Sequence, residues 1–199
     1  MIGYKTINYS VVEFRKVIEG MPRIKMEPEA ALIDEVVINK SKLKSKILGN
    51  KTTSKNITAR FSSNILGNEV GYKIKIKNKE TYIKDLNLNI VTNEYDTLVF
   101  RVNVYDTKGK LPNNRITSQN IIVTTTIKEG PLKIDLLDYN IAVKDDFFIS
   151  LAWIKDLGES GLYFSASLFG RGLVFRSTSE ANWERNEIAT MGFNVTVLQ

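Results

Sequence analysis

Alternation of apolar and polar residues with a period of two runs through most of this chain. Residues 70–77, VGYKIKIK, set Tyr72, Ile74 and Ile76 against Lys73, Lys75 and Lys77, the pattern of a strand with one buried and one wet face. Residues 82–91 set Leu86, Leu88 and Ile90 against Asp85, Asn87 and Asn89, and residues 97–105 set Leu98, Phe100, Val102 and Val104 against Arg101 and Asn103. The same reading predicts strands over 121–127, 132–137, 146–154, 162–169, 172–177 and 192–198. Their β-branched and aromatic content separates them from short buried helices.

Turn residues fall between the runs: Lys108-Gly109, Pro112-Asn113-Asn114, Glu129-Gly130-Pro131, Gly158 to Gly161 and Gly170 to Gly172. Each supplies either a φ that other residues disfavour or a short polar side chain that bonds its own backbone. Many short strands at this spacing predict an all-β protein, a jelly-roll-like antiparallel β-sandwich over 58–199. Residues 178–190 read as a loop, and no long amphipathic helix is expected. The first 38 residues also read as short strands, in IGYKTINY, RIKM and ALIDEVVI.

The chain has 199 residues, neither Cys nor His, and a formal net charge of +6. The missing residue types exclude disulfides, thiolate nucleophiles, Cys/His zinc sites and every triad built on histidine. No catalytic residue and no cofactor is expected, and the chain reads as a non-enzyme. The charge is not evenly spread. Residues 39–60 hold seven bases and no acid, while residues 61–199 are balanced. The run NKSKLKSKILGNKTTSKNITAR has few large apolar residues, so 39–57 reads as a solvated basic linker. It carries no aromatic ring for base stacking, and no nucleic-acid partner is expected. Lysines 73, 75 and 77 read first as protection of a sheet edge, with an anion-binding face as the lesser alternative.

Two sets of residues offer chemistry. Asp145 and Asp146 precede an apolar strand and read first as a plain turn before a buried strand; calcium ligation at a sandwich edge is the lesser alternative, and no metal is expected. Trp183, Tyr163 and Tyr139 are candidates for an aromatic platform that binds a sugar ring. Trp183 lies in a polar loop, whereas Trp153 lies in the most apolar strand and belongs to the core. The opening residues lack a charged segment followed by an unbroken apolar one, so no signal peptide is read there. No run approaches the length of a membrane-spanning helix.

Gly3-Tyr4-Lys5-Thr6 and Leu32-Ile33-Asp34-Glu35-Val36-Val37-Ile38 resemble the closing strands of a carboxypeptidase-like regulatory domain, the transthyretin-like β module of Bacteroidetes envelope and secreted proteins. Asn93-Glu94-Tyr95-Asp96-Thr97-Leu98, the run from Asp146 to Ser167, and Gly192 to Val197 resemble the C-terminal region of uncharacterised proteins carrying that module. The resemblance implies that 1–38 is a partial module with its first strands missing and its N-terminus truncated, and that the protein works in the periplasm or at the outer membrane. The expected function is therefore a non-enzymatic binding or assembly module of the cell envelope with a protein partner. A carbohydrate-binding module that takes a glycan is the alternative.

Overall fold

The computed structural model describes residues 7, 9–20, 43–61, 64–77, 79–156, 158, 161–168, 172–179 and 181–199. The chain divides into two units, Met1–Asn39 and Lys40–Gln199. The strands expected from RIKM and ALIDEVVI lie outside the described residues, as does most of IGYKTINY.

What is described of the first unit is a helix, α1 (Val11–Gly20), where only strands were expected. A capping box starts it. The Ser10 hydroxyl accepts the Glu13 backbone N–H at 3.3 Å, and the Glu13 carboxylate accepts the Ser10 N–H at 2.8 Å. Ser-x-x-Glu at a helix start satisfies two donors that have no partner within the helix. The Ser10 hydroxyl, which also donates to that carboxylate at 2.7 Å, and then the Ser10 N–H hold the Glu13 carboxyl below its ordinary pKa.

The second unit is all-β. In chain order its strands are β1 (Ser45–Gly49), β2 (Thr58–Ala59), β3 (Glu69–Ile74), β4 (Thr81–Asn93), β5 (Leu98–Lys108), β6 (Leu111–Arg115), β7 (Ile121–Thr125) and β8 (Gly130–Asp135). They continue with β9 (Ala142–Val143), β10 (Phe147–Trp153), β11 (Leu162–Leu168), β12 (Leu173–Arg176), β13 (Glu184–Asn186), β14 (Ala189–Met191) and β15 (Asn194–Leu198). All described pairings are antiparallel. The first sheet runs β1-β15-β4-β11-β14, with β8 and β9 on the other edge of β4 and β2 on β11. The second runs β13-β12-β3-β10-β5-β6, with β7 also on β5.

The nine strands expected from alternation all form; seven of them make up the middle of both sheets, and β7 and β8 flank β5 and β4. Their inward rows close on one core. Trp153 of β10 lies at its centre, with ring centroids 4.7 Å from Phe100, 5.0 Å from Phe61 and 5.6 Å from Tyr95. In β4 the alternation slips: Ile83 and Leu86 are both buried, and the register against β15 shifts between Thr196 and Val197. A bulge there keeps both halves of a long strand facing the core.

The linker expected over 39–57 is corrected from Ser45 onward. β1 pairs residue by residue with β15, and the Asn50 amide donates to Ser167, Thr190 and Met191. Packing of the half-buried Leu48 against the core and these bonds fasten a lysine-rich stretch that composition alone reads as a tether. Pro112, read as a turn, lies in the edge strand β6, where a missing N–H is tolerated. The turn itself is centred on Gly109, whose φ is 65°. Residues 184–186 and 189–191, read as loop, form β13 and β14.

Trp153 is 1% exposed. Its replacement by alanine should cost about 3–5 kcal/mol of unfolding free energy, measured by denaturant titration; a loss below about 1 kcal/mol would contradict this packing.

Candidate functional site

The outer face of the second sheet is where polar chemistry gathers. Antiparallel register fixes its rows. Arg176, Glu69, Ala152 and Arg101 lie side by side across β12, β3, β10 and β5. The next row holds Arg185, Val174, Gly71, Ser150 and Asn103. The third holds Lys73, Phe148 and Tyr105.

Glu69 has no exposed surface, and a buried carboxylate needs charge and donors around it. It has both. Arg176 donates from Nε at 2.9 Å and from Nη2 at 2.6 Å to Oε2. Asn103 Nδ2 donates at 2.7 Å and the Tyr105 hydroxyl at 3.0 Å to Oε1, which also accepts from the Ser150 hydroxyl. Gly71 permits the approach of Ser150, since a Cβ at that position would stand 2.9 Å from the Ser150 Cβ. Burial, followed by the Glu69 charge, pushes the Tyr105 phenol far above its ordinary pKa.

Arg176 has a second contact. Its guanidinium carbon sits 4.6 Å from the centroid of Trp183, and Tyr105 meets the same indole edge-on at 5.5 Å. The Glu69–Arg176 pair thus fixes the chain just before β13, which carries Arg185 back across Val174. Glu187 then bridges Arg185, at 3.0 Å, and Lys110, at 4.0 Å.

Beside this network lie three hollows that share Lys75. One, of about 220 Å³, has Phe148 and Val174 in its lining together with Lys73, Lys75, Lys110 and Arg185. The second, of about 730 Å³, lies between β1 and the end of β3. The third, of about 400 Å³, adjoins it and is lined by Lys46, Lys75, Lys77 and Lys79. Among the described residues, Asp146 is the one acid in these linings. A concave surface lined by one sign of charge concentrates ligands of the other sign.

The candidate aromatics are not brought together. Trp183 is stacked under Arg176 on the second sheet. Tyr163 is in β11 of the first sheet, where Arg60 donates to its hydroxyl at 3.3 Å. Tyr139 ends a short 3-10 helix, Leu137–Tyr139, beside an uncharged hollow of about 250 Å³. No shared sugar platform exists among them. Asp145 is an exposed turn residue. Asp146 accepts the Ile76 N–H at 3.0 Å and pairs with Lys73 at 3.5 Å. Among the described residues no group of three acidic side chains is placed to hold a metal ion, so the calcium candidate is not supported.

Of the lysine row, Lys73 lies in β3, which runs between β12 and β10, and Lys75 and Lys77 lie beyond the end of that strand. Sequence reasoning missed Glu69, Arg176, Lys110 and Arg185. Glu69 carried a usable signal: it is an acid next to Val70, at an outward position of a strand whose other outward residues are Gly71 and Lys73.

Comparison with protein-family models, with curated proteins and with solved structures returned no match to this chain.

Arg176→Ala strands the Glu69 carboxylate and should cost about 3–5 kcal/mol of stability, read by denaturant unfolding; a loss under about 1 kcal/mol would show that the pair is not buried as described. The folded pKa of Tyr105 is raised, so its contribution to stability is fully present below the ordinary tyrosine pKa and is lost as pH rises beyond it. Ultraviolet titration should find Tyr105 among the tyrosines that ionise only with alkaline unfolding, and Tyr105→Phe should lower the amplitude of that step.

Proposed function

We propose that this protein is a non-catalytic binding module of the bacterial cell envelope, and that it recognises anionic ligands at the lysine-lined hollows around Lys75. The observation that carries the reading is the gathering of Lys46, Lys73, Lys75, Lys77, Lys79, Lys110 and Arg185 around contiguous concavities with Asp146 as the one acid in their lining. Mutual repulsion among these side chains is relieved by an anion seated between them. The envelope setting rests on the resemblance of the chain's phrases to proteins of that compartment. The glycan alternative draws no support from the placement of Trp183, Tyr163 and Tyr139 on separate surfaces.

The recognition is electrostatic with an apolar floor. Phe148 and Val174 give one hollow a dry base, and Lys73 lies over the Phe148 ring at 5.9 Å from its centroid. Glu69 serves as scaffold: every donor around it is already committed, and it acts on the site by holding Arg176, Trp183 and the strand that bears Arg185.

Calorimetry with inorganic pyrophosphate tests the reading. Binding should weaken as salt is raised, and Lys75→Glu should reduce affinity about tenfold or more with little change in thermal stability. Absence of binding, or binding indifferent to both salt and Lys75→Glu, would overturn it.

A further inference from the structure

The hollow between β1 and the end of β3 has a feature that charge alone leaves unused. Its lining includes Ile47, Leu48, Tyr72 and Ile76, and it opens between the two sheets at the edge of the sandwich. Register against β15 puts Lys46 and Leu48 on one face of β1, opposite Val197 and Val195; Leu48 is half-buried and Lys46 exposed. Leu48 lines this hollow and the adjoining one of about 400 Å³, and Lys46 stands in the lining of the adjoining one. Lys75, Ile76 and Lys77, in the segment that follows β3, repeat that arrangement from the facing side: Ile76 is buried, and the lysines on either side of it are exposed. Apolar walls below and ammonium groups at the mouth occur on both sides of one cleft.

We infer that this cleft takes a single-chain anionic amphiphile: an unbranched aliphatic body between β1 and β3, and a phosphate or carboxylate head among Lys46, Lys75, Lys77 and Lys79. The inference rests on the anion-binding reading above and names the ligand class for one of its hollows. The volume of about 730 Å³ is ample for a short aliphatic chain. Each methylene taken from water into such walls adds affinity in proportion to its area. The lysines then set the orientation of the ligand, head outward.

An acidic extended peptide is the competing occupant, because β1 ends its sheet among the described strands. Lys46 argues against it. A charged side chain, lysine above all, on an edge strand discourages addition of a further strand. The same lysine suits a head group at the mouth of the cleft.

The test is calorimetry on the full chain with monomeric alkyl phosphates from ethyl to octyl. Affinity should rise about threefold for each added methylene until the cleft is filled. Leu48→Asn should flatten that slope while ethyl phosphate binding persists, and Lys75→Glu should weaken the whole series together. The wild-type slope stands by itself should Leu48→Asn fail to fold. Equal affinity for ethyl and octyl phosphate would overturn the amphiphile and leave the anion site standing. Failure of every alkyl phosphate and of pyrophosphate would overturn both. Tight binding of a strand-length Asp/Glu peptide that octyl phosphate does not displace would overturn the amphiphile in favour of strand addition at β1.

Discussion

A single buried carboxylate organises the second sheet. Glu69 sits on the face of β3 that a two-layer sandwich normally leaves to water, yet no part of it is exposed. Burying that charge is tolerable only if donors converge on it from every neighbouring strand. They come from Asn103 and Tyr105 on β5, Ser150 on β10 and Arg176 on β12. The cluster therefore specifies which strands flank β3 and in what register, since a slip of one residue would turn each donor to the other face. A second small core of Tyr105, Phe148 and Val174 grows beside it, with Leu111 and Trp183 packed against it. That layer converts the outer face of the sheet into a shaped surface.

The central strands were legible because their partners made their pattern: β4, β5 and β10 each have a fully apolar row that faces one core. The strands at the margins were not. β1 reads SKILG and β13 reads ERN; such short polar segments become strands only because a hydrogen-bonding neighbour is present, and for β1 that neighbour, β15, lies far away in sequence. The helix α1 was obscured for another reason. Val11, Val12, Val17 and Ile18 are β-branched and favour strands when taken singly. The deciding signal was the Ser10–Glu13 box, a local hydrogen-bond pattern that hydropathy does not register.

The site was legible as ingredients and not as an arrangement. Lysines 73, 75 and 77 stood out, and so did the excess of charge between 39 and 60. Their meeting depends on β1 of one sheet coming to rest beside the end of β3 of the other, which no local pattern encodes. Arg185 and Lys110 are solitary charges in the sequence and become neighbours through Glu187. Trp183 was correctly placed in a polar loop, but its ring is occupied by Arg176 and Tyr105. An aromatic in a loop is as easily a lid over a salt bridge as a surface for a ligand.

The pairing of β1 with β15 has a kinetic consequence. Lys46 and Gln199 are 153 positions apart in the chain and yet bonded at 3.2 Å. Contacts of such separation are slow to close, because chain entropy is lost before the contact returns any energy. The mouth of the lysine-lined cleft is thus assembled from the earliest and the latest strands of the sandwich to leave the ribosome. A half-made chain has no such cleft. On the proposed reading, ligand capture would be confined to molecules that have closed this seam, and a bound ligand would in turn help to hold it shut.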